Sequence, residues 1–519
     1  MANDPQSSST GKFQPPIDTV LAWTVTVVFF AVHLYLQIAK WHVFHPACFD
    51  YANVYDVLHS LLTGRVYQME PTHLFGLVFS QTYFFFAPLF ALVPSVYTLM
   101  VINSFVFSAG IILAYYAARE VFQRSWIPLL FTVSLALNPF YTISALSGFR
   151  PMALIVPAVF ASFLAWRRKK KVVFVLVLAL MCTAQLNILF GIFFLGFALW
   201  WRDRKPFFGL TSMAMSALWI LASLIAAIIV TRQSGTAPPA DIGHLIAYGS
   251  SFSEIFHTLL TRPGFVLKNI FYWKNLTIVF LFLTVAALPL LRPTWIAGAV
   301  PELIYIVLST YGFTQIDSRT RWAVNLDDPL FSFFNTGLIT VLPFLYVAAF
   351  EGLERLLNWV KTKKPLLLTA RYRRIGIIGF LLFSCVIHYA FSPPDYGPVA
   401  GAKSADFSVL EQQPHHDQMR FVIANLKRDA FYLMDFSFFF YTVDFPRQRL
   451  LNAESPLDDT YDYIVLNRAD PNPMLTPEQR KHIEETLMTL PYRTVWKSTD
   501  GKIVILARPS MGSPFVNGT

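Results

Sequence analysis

The sequence predicts a mostly helical, polytopic membrane protein that ends in a small soluble α/β domain. Three observations predict it. Of 519 residues, 55% are hydrophobic and only 14% charged, whereas soluble chains carry roughly 25% charged residues. Apolar segments recur at 17–39, 96–118, 126–146, 152–166, 172–184, 187–201, 207–230, 275–291, 295–311, 332–350 and 375–391. After Phe391 the composition changes, through the linker "SPPDYGP", to a polar stretch holding strand-like runs. The 50 phenylalanines suit lipid-facing and interfacial helices. The net charge of +10 does not point to nucleic acid, because its basic residues sit in short clusters between apolar runs. Cys48, Cys182 and Cys385 are too scattered for a metal site or a disulfide framework.

Residues 1–16 are polar, rich in Ser and Pro, and lack the basic start and cleavage site of a signal peptide, so they predict a disordered cytoplasmic tail. Residues 17–39 are long enough for an uncleaved first span. Segments 172–184 and 187–201 are short alone and too long as one helix. Arg167, Arg168, Lys169, Lys170 and Lys171 precede the pair, and Arg202, Arg204 and Lys205 follow it. Both clusters fall on one side only if the pair is a hairpin turning at "TAQLN", which the positive-inside rule favours.

With the N-terminus inside, the inner loops also hold Arg119, Arg124, Arg292 and the seven basic residues between Arg355 and Arg374. This holds if 75–94, aromatic and carrying Pro88, is an interfacial or re-entrant helix rather than a span. About eleven spans result, with the C-terminus outside. The expected organisation is a membrane domain over 17–391 with an external loop 40–95, a linker 392–409, an α/β domain 410–510 and a tail 511–519.

Within the external loop, Val54, Val57, Leu58, Leu61 and Leu62 follow helical spacing, and Gly64 supplies a stop. An amphipathic interfacial helix over 51–63 follows, with Asn53, Asp56 and Ser60 on its polar face. Asp50, just before it, reads as an N-cap, and Asp56 as part of a solvated face. In the soluble domain "YDYIVLN" (461–467) and "KIVILAR" (502–508) read as buried strands. "TPEQRKHIEETLMTL" reads as a helix capped by Thr476, with Pro477 at its first position and Gln479 at its third.

An acidic residue in the first external loop, followed by a juxtamembrane helix and a Pro-Leu segment, resembles the GT-C glycosyltransferases. The closer resemblance is to a bacterial family of unknown function, predicted to be GT-C-like polytopic membrane proteins. It rests on "FDYANVYDVLHSLLTGRVY", "FFFAPLFALVPSVYTLMVINSFVFSAGIILAYYAARE", "GFRPMALIVPAVFASFLAW", "VLPFLYVAAFEGLERLL" and "YDYIVLN…DGKIVILAR", in that order. The resemblance implies transfer of a sugar from a polyprenyl-phosphate donor to an envelope glycan or lipid outside the membrane. Asp50 would be the base and Asp56 a secondary acid or structural partner. It implies a bacterial inner membrane location, a periplasmic C-terminal domain, and membrane lipid and lipid-linked sugar as partners. Beyond that donor it implies no certain cofactor.

The chain departs from that family at three places. Phe149-Arg150-Pro151-Met152 stands where the family tends to read Phe-His-Pro-Glu, and Gln185-Leu186-Asn187 where it tends to read Lys-Glu-Asp. Phe334-Asn335 stands near its usual His-Tyr. A second carboxylate, and any metal site built on it, is therefore missing. A non-catalytic scaffold that binds lipid-linked glycan or a partner protein is the rival reading. A transporter is a further rival, opposed by an expected lack of charged residues deep inside the helices.

The remaining polar candidates have a structural and a functional reading each. Arg150, at an outer boundary, either snorkels to headgroups or clamps a donor phosphate. Gln185 and Asn187 either make a tight turn or touch donor or acceptor. Arg319 and Arg321, with Asp317, Asp327 and Asp328, form a solvated loop or a phosphate- and sugar-contacting one. His415-His416 are two ligands at most, too few for a metal site alone.

Overall fold

The computed structural model describes residues 17–43, 49–63, 82–123, 126–146, 148–149, 151–184, 186–234, 248, 252–271, 282, 285–316, 334–363, 376, 379, 382–383, 386, 414–442, 445, 447–451, 457–468 and 477–516. The fold is mostly helical with one small C-terminal sheet.

Helix α1 (Ile17–His42) and helix α4 (Val96–Val121) have 26 residues each, roughly 39 Å at 1.5 Å per residue and enough to cross a bilayer. They run antiparallel. Thr19 Oγ1 lies 2.9 Å from Tyr115 OH at one end, and the rings of His42 and Tyr97 are 6.3 Å apart at the other. Between them in sequence lie α2 (Phe49–Thr63) and α3 (Tyr83–Leu92). The 10 residues of α3 are too few to span by themselves, and the first part of the 75–94 segment, 75–81, lies outside the described residues.

Segment 126–146 breaks into α5 (Ile127–Ala136) and α6 (Pro139–Leu146), bent by 55°. Asn138 and Pro139 cause the break. Asn138 Oδ1 accepts from the backbone N–H groups of Phe140 (3.1 Å) and Tyr141 (3.3 Å), and Pro139 opens the new helix. A 3-10 turn, Pro151–Leu154, leads into α7 (Ile155–Arg167).

The 172–201 region is two helices, α8 (Lys171–Cys182) and α9 (Leu186–Trp201), followed by α10 (Pro206–Ser234). Lys171 Nζ lies 4.8 Å over the Phe207 ring, and Phe174 packs edge-on to Phe208 at 4.9 Å. The basic clusters on both flanks therefore share one end. Close approach of α9 and α10 depends on Gly196 and Gly209: a Cβ on either would meet the other's carbonyl oxygen at 2.6–2.7 Å.

Helices α11 (Phe252–Thr261), α12 (Pro263–Ile270) and α13 (Val300–Ile316) follow, with 3-10 turns at Leu288–Leu291 and Trp295–Gly298. Helix α14 (Phe334–Lys363) is central: Leu345, Tyr346, Val347, Ala348, Ala349 and Phe350 are all fully buried. A helix apolar all round belongs inside a bundle. By length and apolarity three helices among the described residues can cross a membrane, four if α5 and α6 count as one span. The other apolar segments are shorter or lie partly outside the described residues.

Gly352 sets the seam between α14 and the Leu288 turn. A Cβ there would lie 2.0 Å from the Leu288 carbonyl oxygen, a backbone atom that cannot swing aside. Gly352→Val is expected to cost at least the 1–3 kcal/mol typical of overpacking. Thermal unfolding of purified protein in detergent measures it. An unchanged midpoint would refute the close contact.

Ion pairs gather at the end holding Thr19 and Arg119. Arg167 meets Glu354 at 3.0 Å and Arg168 meets Glu120 at 2.8 Å. Arg292 lies 3.7 Å from Asp203 and 3.5 Å from Glu351.

The C-terminal domain opens with α15 (Pro414–Asn425). Among the described residues its strands are β1 (Tyr432–Met434), β2 (Gln448–Leu450), β3 (Tyr463–Asn467), β4 (Arg493–Lys497) and β5 (Ile503–Ala507), ordered β2-β1-β3-β5-β4. β1 is parallel to both neighbours, and β5 is antiparallel to β3 and β4. A short helix α16 (Phe436–Phe439) and a 3-10 turn (Phe440–Thr442) follow β1. Both expected strands form, and α17 (Pro477–Thr489) starts at the expected proline, while Thr476 lies outside the described residues.

The expected tail from 511 is corrected through Val516. Phe515 is 1% exposed, pairs with Leu426 in an isolated bridge, and packs edge-on to Trp496 at 5.6 Å. Burial of that ring ties the segment to α15. The domain sits at the His42 end of α1: Arg420 Nη1 donates to the His42 carbonyl at 2.8 Å, and Trp41 packs on Tyr441 at 4.3 Å.

Candidate functional site

Helix α2 begins at Phe49, two residues before its expected start. Asp50 therefore lies in the first turn rather than at the N-cap, where a carboxylate complements the helix dipole. It is half-buried. The expected solvated face is also corrected. Asp56 is 5% exposed and Ser60 is buried, whereas Leu62 is exposed. The cause is that α2 is enclosed by α3, α4 and the Phe440–Thr442 turn of the C-terminal domain. A buried carboxylate must be partnered, and neither Asp50 nor Asp56 is free.

Tyr51, next to Asp50, anchors α2 through a buried polar network. Its hydroxyl donates to Gln37 Oε1 at 2.6 Å, and Gln37 Nε2 donates to the Ala145 carbonyl at 2.9 Å. Asn103 Nδ2 reaches Tyr51 OH at 3.1 Å and the carbonyls of Ala145 and Gly148 at 3.1 and 3.3 Å. Helices α1, α2, α4 and α6 and the turn before Arg150 are thereby joined. Gly148 has φ +116°, a conformation natural to glycine.

Aromatic packing closes the same region. Phe149 meets Phe86 of α3 edge-on at 5.0 Å and Tyr51 at 6.4 Å, and Tyr55 meets Phe90 at 5.2 Å. The Thr82 N–H, at the start of α3, donates to the Thr183 carbonyl at 3.2 Å. Three stretches therefore converge on α3: Asp50 to Asp56, the turn at Gly148-Phe149, and the turn at Thr183-Ala184.

Arg150, Gln185, Arg319 and Arg321 lie outside the described residues. Asn187 is placed as backbone in α9, and its side chain lies outside them, as do those of Phe334 and Asn335. Met152 is half-buried against the core. Among the described residues no three His, Cys, Asp or Glu side chains form a metal-binding group.

Sequence reasoning passed over Gln37, Tyr51 and Asn103, and also His33 and Lys40. His33, 2% exposed and well inside α1, corrects the expectation that no acidic or basic side chain lies deep in a helix, while Lys40, 4% exposed, lies in the last turn. His33 stacks on Phe29 at 3.7 Å, and its Nδ1 donates to the Phe29 carbonyl at 2.9 Å. The signal was present, because 33, 37 and 40 share one helical face. His415 and His416 lie 4.2 Å apart beside the domain contact. Burial, then His415 and Arg420, lowers His416 to about 4, so it is neutral at neutral pH.

The fold defines a helical membrane protein with an enclosed helix α2 and an α/β domain at the His42 end of α1. The chain belongs to the family described as "Predicted membrane protein (DUF2079)", whose model matches residues 40–323. No curated protein matches it at a significant level. Among solved structures it is similar to ArnT from Cupriavidus metallidurans bound to undecaprenyl phosphate, with 13% identity, 95% of this chain and 99% of that one covered, and a TM-score of 0.47. The same protein in the apo state gives 13% identity, the same coverage and a TM-score of 0.46.

Proposed function

We propose that the protein is a GT-C-type glycosyltransferase that moves a sugar from a polyprenyl-phosphate donor to an envelope glycan or lipid at the outer membrane face. The supporting observation is the convergence of the Asp50 helix, the turn before Arg150 and the turn before Gln185 on α3. Asp50 takes the proton of the acceptor hydroxyl. The acceptor oxygen bonds to the sugar's anomeric carbon, the bond from that carbon to the donor phosphate oxygen breaks, and lipid phosphate leaves. Buried Asp56 holds α2 in place. Arg150 contacts the donor phosphate, and Gln185, Asn187, Arg319 and Arg321 contact donor or acceptor. The test is transfer of labelled sugar from polyprenyl phosphate by purified protein in lipid. No transfer and no donor binding across a panel of donors would overturn the reading.

A non-catalytic scaffold is the second reading. It is favoured by Met152, which stands where a carboxylate is expected from the resemblance. Donor binding that persists without transfer would select it.

The proposed sidedness places α2 and the C-terminal domain outside, in the periplasm of a bacterial inner membrane, and Lys169 inside. In a variant lacking native cysteines, Asn53→Cys is expected to react with an impermeant thiol reagent in intact cells, and Lys169→Cys only after lysis. Labelling at 169 with none at 53 would invert the topology.

A further inference from the structure

The end of the bundle away from α2 carries a cavity that the proposed transfer does not use. It measures about 380 Å³ and is lined by Tyr116, Arg119, Glu120, Gln123 and Arg168. That volume lies in the range of small-ligand sites. Arg119 Nη1 donates to Thr19 Oγ1 at 2.6 Å and to Tyr115 OH at 3.3 Å, and Arg168 Nε donates to Glu120 at 2.8 Å. Each guanidinium has five N–H donors, so both keep donors beyond these bonds. Arg168 pairs with Glu120, while Arg119 reaches Asp18 only through Tyr115 OH, which donates to Asp18 Oδ2 at 2.8 Å, so in the lining itself two guanidiniums stand beside one carboxylate. Lys169, Lys170 and Lys171 follow Arg168 directly.

The surroundings fix the depth of the cavity. Exposed Trp23 donates from Nε1 to Tyr116 OH at 3.3 Å, and Trp126, just beyond α4, is also exposed. Exposed tryptophans at helix ends sit at headgroup level. Guanidiniums in a concave site at that level match a phosphate, which takes paired N–H donors.

We propose that this cavity binds the phosphate of an anionic phospholipid headgroup, in the leaflet at the end of the bundle opposite α2. Glu120 tempers the site by holding one face of Arg168. The ligand is recognised by a phosphate whose negative charge is not offset by a cationic group on the same headgroup, which the two arginines would repel, and by acyl chains that keep it in the leaflet.

The test is native mass spectrometry of the full chain released from detergent with equal phosphatidylglycerol and phosphatidylcholine. Wild type is expected to retain phosphatidylglycerol at least about fivefold over phosphatidylcholine. Arg168→Ala should lower that retention about tenfold, and Glu120→Gln should raise it. Lys170→Ala, at the same end but outside the cavity lining, should leave it unchanged. Arg168 bonds only at the rim, so an unshifted unfolding midpoint shows that the variant folds. If Arg168→Ala destabilises the protein, the Glu120→Gln increase carries the test. Equal retention in wild type and Arg168→Ala, or no rise with Glu120→Gln, overturns the proposal. Loss of lipid on adding millimolar inorganic phosphate also overturns it, by assigning the site to free phosphate.

Discussion

Asp50→Asn is expected to lower sugar transfer by roughly a hundredfold or more, the contribution of a positioned general base. The amide matches the carboxylate in size but takes no proton at neutral pH. Its position keeps the structural cost small. Asp50 is half-buried in the first turn of α2, where losing a favourable charge–dipole interaction costs about 0.3–1 kcal/mol. Unfolding should shift little while turnover collapses. Asp56→Asn should cost less activity, because Asp56 is buried at 5% exposure and acts by holding the helix. Arg150→Ala should weaken donor binding more than turnover. Full transfer by Asp50→Asn would dispose of the mechanism.

How much of this was readable in sequence depends on the kind of signal. Periodicity and composition located α1, α4 and α10, and the strands β3 and β5, because each buries or exposes a regular apolar pattern. Charge placement located the α8–α9 hairpin, because Lys171 and Phe207 must share an end. The orientation of α2 was misread. Apolar spacing shows which face of a helix is greasy, and cannot show that α3, α4 and the Phe440–Thr442 turn will together enclose the polar face too. The network of Gln37, Tyr51 and Asn103 was missed for a related reason. Each is a single polar residue in an apolar run, and only their meeting in space gives them a role. The tail beyond 510 was misread because Phe515 is a lone aromatic in a Gly- and Pro-rich stretch.

Asn103→Leu is expected to injure donor binding and turnover together, since Asn103 ties the Asp50 helix to the turn before Arg150. Asn103 is 1% exposed and its amide nitrogen serves Tyr51 OH and the carbonyls of Ala145 and Gly148. Ala145 keeps its bond from Gln37, and Tyr51 still donates to Gln37. The Gly148 carbonyl loses its Asn103 bond, and an unsatisfied buried group costs about 1–3 kcal/mol. Leucine fills similar volume, so that loss arises from the polar contact rather than from a cavity. Asn103→Asp separates the two further. It is nearly isosteric, yet it turns carboxylate oxygens toward the two carbonyl oxygens and should be more damaging than leucine. Hydrogen exchange should show faster opening over α2 in both variants, with α15 to β5 of the soluble domain little changed. A wild-type exchange pattern and wild-type transfer in Asn103→Asp would show that the network does not hold the site. If exchange quickens while transfer is retained, α2 is anchored by Asn103 but Asp50 does not need that anchor to act.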